Sequence, residues 1–355
     1  MVSLLQLLKF ATDQGASDLH LVAGSQPALR VNGRIVRVKS ETLTKELTRK
    51  LCYSVLSDNQ KAKFEEEREL DFSFEVKNMA RFRANLFFQR GSVSGVFRKV
   101  PVTMPKFSDL MMPAGIGELT TLPYGLVLVT GPTGSGKSTT IASLIDKINQ
   151  ESFGHIVTLE DPIEFIHPHK NCIVNQREVG MDSASYTDAM KYLLRQDPDV
   201  VLLGEMRDLE TIDAALITAE TGHLVFATLH TNSAIATINR IVSVFPSEQQ
   251  ERVRVQLSFT LQAVISQRLL PALGGGRTVA CEFLVMTPGI RNLVREGKMH
   301  QIESMMQVGQ EKSGMVTMNQ CLVQLVLRRK IDLRTAFESS PNIEQLEKML
   351  KQAGV

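Results

Sequence analysis

The stretch Gly125–Thr139 reads GLVLVTGPTGSGKST. Its apolar residues Leu126 to Val129 have the unbroken character of a strand buried on both faces of a parallel sheet. They lead into Gly131, Pro132, Thr133, Gly134, Ser135, Gly136, Lys137 and Ser138, which fit the pattern G-x-x-x-x-G-K-[ST]. Thr139 and the helical residues IASLIDKI follow. Gly131, Gly134 and Gly136 allow the main chain to wrap a phosphate chain without Cβ clashes. The loop N–H groups and the N-terminus of the new helix then face anionic oxygens. Lys137 is placed to reach β- and γ-phosphates, and the Ser138 hydroxyl to meet Mg²⁺. A nucleotide site for ATP with Mg²⁺ is therefore expected.

Further apolar runs follow at HIVTLE (155–160), CIVN (172–175), VVLLGE (200–205) and HLVFATLH (223–230), with helical patterns between most of them. Strands alternating with helices predict an α/β domain whose parallel sheet is covered on both faces. Ligands bind beyond the carboxyl ends of such strands, so polar residues should gather after each run. They do. Glu160, Asp161 and Glu164 follow HIVTL, and Glu205 follows VVLLG. A carboxylate in the first group is suited to polarise an attacking water or orient Mg²⁺. Glu205 stands where the second metal-associated acid of such an enzyme belongs, in contact with Mg²⁺ through water. His223 and His230 bracket VFATL, and His230 at the strand end is a candidate γ-phosphate sensor.

The block 1–99 differs. A helix at roughly 3–15, a short strand at Asp18–Val22, an Asn32–Gly33 hairpin, a helical region at 44–68 and strands DFSFEV, ARFRANLFFQ and VSGVFRKV suggest a small α+β sheet domain. Arg81 and Arg83 flank Phe82, so both guanidinium groups leave one strand face, and Arg98 lies on the next strand. Such a cluster is either a phosphate clamp or a solvated face. Residues 100–115 read as a linker rich in Pro and Met, and 116–355 as the second domain. Ser247–Leu270 reads as an amphipathic helical run, 279–286 as a strand, and 313–353 as a helical tail. Arg291, Arg295 and Lys298 are expected on one helix face, either docking an acidic partner or simply solvated.

At 355 residues the chain suggests two domains. Its 43% apolar and 22% charged residues suit a globular protein, and a net charge of +2 gives no support for nucleic acid held by bulk charge. No run of 18 apolar residues predicts a transmembrane segment. The opening MVSLLQLLKFATDQ has no basic leader or cleavage site, so a first amphipathic helix is expected. Four scattered cysteines suggest neither a zinc site nor a disulfide frame, which fits a cytoplasmic setting.

Taken in order, GPTGSGKST, VTLEDPIE, GEMRD, GHLVFATLHTNSA and IRNLVREGK, with ASDLHL and RFRAN before them, closely resemble the type IV pilus retraction ATPases. The resemblance covers essentially the whole chain. It implies a PAS-like N-terminal domain, then a RecA-like P-loop domain ending in a helical region from about 287. It also implies a homohexameric ring with ATP between subunits. Lys137 and Ser138 would be the Walker A contacts, Glu164 the preferred catalytic carboxylate over Glu160 and Asp161, and Glu205 the Walker B acid. His223 and His230 would form the His box, and Arg81, Arg83 and Arg98 would include arginine fingers. The implied partners are an inner-membrane platform protein and an accessory retraction ATPase, at the cytoplasmic face of the inner membrane. Rival implications are an accessory paralogue, a secretion or pilus assembly ATPase, or a nucleotide-gated structural partner. The assembly and secretion ATPases usually carry a tetracysteine zinc motif, which this chain lacks. Gly289 stands where the family usually has Ala, an exchange that weakens helix propensity by about 1 kcal/mol.

Overall fold

The computed structural model describes residues 2–31, 33–77, 79–100, 104–308 and 313–355. The chain falls into two units, residues 1–103 with 164–166, and residues 104–163 with 167–355.

The first unit opens with α1 (Leu4–Asp13), held at its start by a Ser3–Gln6 capping box. Strands β1 (Asp18–Leu21), β2 (Ala28–Val31) and β3 (Arg34–Arg37) follow. The expected Asn32–Gly33 turn involves Asn32, which lies outside the described residues. The helical region comes as two helices, α2 (Lys45–Tyr53) and α3 (Asp58–Glu67), because Ser57 starts a new capping box with Gln60. Strands β4 (Glu69–Val76), β5 (Ala80–Gln89) and β6 (Ser92–Lys99) complete a six-stranded antiparallel sheet in the order β3-β2-β1-β6-β5-β4. Phe82, Ala84, Leu86 and Phe97 turn to one face and join Leu8, Leu51 and Phe64 in its core. This sheet flanked by helices is the architecture that the PAS-like expectation describes.

In the second unit the segment expected as a linker is packed down where it is described. Ser143 donates to the Pro105 carbonyl at 2.9 Å, and α4 (Ala114–Glu118) buries Ile116. Next come β7 (Gly125–Thr130) and α5 (Lys137–Glu151). Strands β8 (His155–Glu160) and β9 (Ile173–Glu178) precede α6 (Tyr186–Leu193). Then β10 (Val200–Leu203), α7 (Leu209–Glu220), β11 (Leu224–Leu229), α8 (Ala234–Val244) and α9 (Gln250–Thr260) alternate. The unit closes with β12 (Leu261–Pro271), β13 (Arg277–Val285), α10 (Pro288–Arg295), α11 (Ile302–Val308) and three further helices at 318–327, 333–339 and 343–352.

The sheet order is β13-β12-β7-β11-β10-β8-β9. Every neighbouring pair is parallel except β12 with β13. Alternate residues of β7 feed two separate cores, Leu126 and Leu128 on one face and Val127 and Val129 on the other. That is why the strand reads as an unbroken apolar run. The final helices cover the α5 face through Leu322, Leu346 and Leu350. Among the described residues, no helix is long and apolar enough to cross a membrane.

The helical run expected through Leu270 is corrected. The helix stops at Thr260 and the chain passes directly into β12, between β7 and β13. Val264 and Ile265 are fully buried there, and a strand buried on both faces loses the period-2 signal that separates it from a helix.

Leu346 is fully buried on this face, whereas Leu333 is 43% exposed. Leu346→Ala is expected to cost about 2–4 kcal/mol in urea unfolding, and Leu333→Ala under about 1 kcal/mol. Equal losses would show that the final helices do not share this core.

Candidate functional site

Parallel registry decides which polar groups meet. Thr130 at the end of β7 pairs with Leu229 at the end of β11, and Leu203 of β10 lies between Ala227 of β11 and Leu159 of β8. The residues after these positions therefore share the carboxyl edge of the sheet: Gly131, His230, Glu205 and, at the end of β8, Glu160.

The loop after β7 turns back through Gly131 (φ 142°) and Gly136 (φ 90°), both in the region that side chains disfavour. A Cβ on Gly131 would stand 2.3 Å from the Gln267 carbonyl oxygen and 2.7 Å from Ser135 Oγ. No other residue type fits there. Pro132, Thr133 and Gly134 are exposed, Ser135 is buried, and Lys137, Ser138 and Thr139 are half-buried in the first turn of α5. Lys137 Nζ donates to the carbonyls of Gly131 at 2.8 Å and Pro132 at 3.2 Å. Its ammonium thus lies over the loop. Four N–H groups at the start of a 15-residue helix add their partial positive charge.

Glu205 is the centre of an ionic cluster. Its Oε2 meets Arg207 Nη2 at 2.9 Å and its Oε1 meets His230 Nε2 at 3.1 Å, while Arg207 Nη1 lies 4.0 Å from Asp161. Burial pushes the Glu205 carboxyl up, but the Arg207 guanidinium and His230 outweigh it and hold the group below the usual carboxylate range. The backbone around it is pinned as well. Gly204 N–H donates to Leu159 O at 2.8 Å, Met206 N–H to Thr228 O at 3.0 Å, and the Thr228 hydroxyl to Gly204 O.

The other carboxylates behave differently. Glu160 is buried and accepts from Thr158 Oγ1 at 2.7 Å and Gln176 Nε2 at 3.2 Å. Asp161 and Glu164 are exposed, and Glu164 counts with the first unit. His223 does not join His230. It precedes β11 at the amino edge, about 20 Å away along a six-residue strand, where its ring meets Thr218 O and Thr221 Oγ1.

In the first unit, the register places Arg30, Asp18, Arg98 and Arg83 in one row across four strands. Buried Asp18 holds Arg98 Nε at 2.8 Å, with Arg30 Nε 3.8 Å away. Arg81 is half-buried two residues from Arg83 on the same face, so the expected arginine face exists. The basic helix face is corrected. Helix α10 ends at Arg295, before Lys298, and Arg291 is committed internally to Ser258 O at 2.7 Å, Phe259 O, Leu261 O and Gln262 Oε1. It closes the C-terminus of α9. A Cβ on Gly289 would meet only the mobile end of the Met305 side chain, Cε at 2.5 Å, which can swing aside.

Three groups escaped the sequence reading. Arg207 was legible only as a basic residue two places beyond the acid. Tyr186, with its buried hydroxyl beside Gly204, and Gln267, behind the loop, carried no local signal.

A glycine-rich loop between a buried strand and a helix, sharing a sheet edge with an ionised glutamate, defines a P-loop nucleoside triphosphatase. The family model described as "Type II/IV secretion system protein" matches residues 2–275, and the chain belongs to this family of secretion and pilus ATPases. It is 49% identical to the type IV pilus retraction ATPase PilT of Pseudomonas aeruginosa, across 94% of this chain and 97% of that one. It is 45% identical to a twitching motility protein of Neisseria gonorrhoeae, across 97% and 92%. Among solved structures, the pilus retraction motor PilT with bound ADP is 52% identical and superposes with a TM-score of 0.94, covering 98% of this chain and 100% of that one.

Arg207→Ala should let the Glu205 carboxyl rise toward its ordinary value. Because that carboxyl is held low in the parent, the acid limb of a turnover-versus-pH profile should move to higher pH. An unmoved limb would show that Arg207 does not set the charge on Glu205.

Proposed function

We propose that this chain is a ring-forming ATPase motor that drives retraction of type IV pili, and with it twitching motility. The observation that carries this reading is the shared sheet edge of the Lys137 loop and the Glu205–His230 pair, in a chain similar to PilT over nearly its full length.

The phosphates of ATP bind along the loop N–H groups and the start of α5, where main-chain donors and the Lys137 ammonium neutralise them. Lys137 exchanges its carbonyl partners for β- and γ-phosphate oxygens. The Ser138 hydroxyl and the Glu205 carboxylate are hard oxygen donors of the kind Mg²⁺ prefers, so the residues fit that ion. When bound it would neutralise phosphate charge that develops during transfer. Glu205 stays ionised between Arg207 and His230, and His230 sits one residue beyond β11 to register the γ-phosphate. Glu160 is held by Thr158 and Gln176 and Asp161 lies near Arg207, and the family resemblance assigns the attacking water to Glu164. Water attacks in line, the bond to the bridging oxygen breaks, and ADP and phosphate leave.

Arg81, Arg83 and Arg98 are assigned to phosphate contacts from a neighbouring subunit in a homohexamer, and His223 to a supporting position away from the reacting atoms. The force acts on a platform protein at the cytoplasmic side of the inner membrane, with an accessory retraction ATPase as a possible second partner. Closure around ATP and release after hydrolysis supply the two states a motor needs.

The test is ATP turnover by the purified full chain with Mg²⁺, paired with complementation of a retraction-deficient strain. Lys137→Ala should abolish turnover and motility through lost nucleotide binding. Glu164→Gln should lower kcat at least about a hundredfold while retaining nucleotide affinity. Turnover that survives Lys137→Ala would overturn the enzymatic reading. Full turnover without complementation would overturn the retraction assignment.

A further inference from the structure

Strand β12 carries Gln267 one position beyond the pair Ser266–Thr130, directly behind the phosphate loop. The residue is completely buried. It meets the loop three ways. Its Nε2 donates to the Ser135 carbonyl at 2.8 Å. Its own carbonyl oxygen fills the space that denies Gly131 a Cβ, and a Cβ on Gly136 would sit 3.2 Å from the same Nε2. Reversing the amide would set its oxygen against the Ser135 carbonyl, so the geometry fixes its orientation.

That orientation leaves Gln267 Oε1 buried without a hydrogen-bond partner. A side chain kept only to fill volume would be better served by Met or Leu, which bury no unpaired acceptor. The amide is thus retained for its donor. The acceptor of that donor is the carbonyl two residues before Lys137. Drawing this carbonyl toward β12 keeps its lone pairs out of the concave side of the loop, where phosphate oxygens would be repelled. It also leaves the following N–H groups facing inward.

We infer that Gln267 is a positioning residue of the nucleotide site, holding the Ser135 carbonyl against β12 so that this acceptor does not face the phosphates. The inference rests on the nucleotide-site reading of the Lys137 loop. It is tested in the full chain with Gln267→Met, which keeps the volume and removes the donor, and Gln267→Glu, which restores a donor only when protonated. The readouts are melting temperature without nucleotide, affinity for a fluorescent ADP analogue between pH 5.5 and 8, and the split between kcat and KM for ATP.

Gln267→Met is expected to melt near the parent while binding ADP about tenfold more weakly. Gln267→Glu should bind still more weakly at pH 8 and regain affinity as pH falls, because the protonated carboxyl again donates to Ser135 O; the parent should show no such recovery. ADP affinity of Gln267→Met within twofold of the parent would overturn the role, as would a Gln267→Glu profile parallel to the parent's. Failure of both variants to fold would assign Gln267 to the core and overturn it too. Lys137→Ala run alongside separates the two readings: if it binds ADP normally, the nucleotide site itself is misplaced.

Discussion

The parallel registry of β7, β11, β10 and β8 is the constraint on which the rest depends. Each strand is chosen by burial alone, since all four are apolar and covered on both faces. Yet parallel pairing forces their carboxyl ends to one edge. Residues widely separated in sequence, Gly131, Glu160, Glu205 and His230, are thereby brought together by packing that involves none of their own chemistry. The polar groups are tolerated there because the edge is open to ligand and because each has a partner at hand.

Electrostatics then sorts those groups. Four residues with carboxyl or imidazole side chains near one edge would repel or neutralise one another if left unpaired. Arg207 divides its two terminal nitrogens between Glu205 and Asp161, and Thr158 with Gln176 occupies Glu160. One acid is buried and fully engaged, one is ionised and half-accessible, and Asp161 faces solvent. The same sorting appears in the first unit, where buried Asp18 keeps Arg30 and Arg98 in one row despite their mutual repulsion. In both places a fixed counter-charge holds a cluster that would otherwise scatter.

What could be read from the sequence was what has a local cause. The loop pattern, the strand ends and the alternation of Arg81 and Arg83 around Phe82 each follow from a period or a spacing. The passage from α9 into β12 could not be read, because no Gly or Pro separates them and Leu261–Leu270 is as apolar as a buried helix. The distance between His223 and His230 has a related cause. The seven-residue step from His223 to His230 places both in one short motif, but a strand separates its two ends by its whole length. Arg291 looked like a surface charge because its acceptors, the last carbonyls of α9, lie about 30 residues upstream. Gln267 was invisible for the same reason, with more than a hundred residues between it and Ser135.

The most direct test is a structure of the assembled protein with a non-hydrolysable ATP analogue. Lys137 Nζ should leave the Gly131 and Pro132 carbonyls for phosphate oxygens, with the γ-phosphate between the loop and Glu205 and an arginine of the first unit of another copy reaching it. An analogue bound elsewhere, or a Lys137 still held by those two carbonyls with phosphate present, would contradict the account.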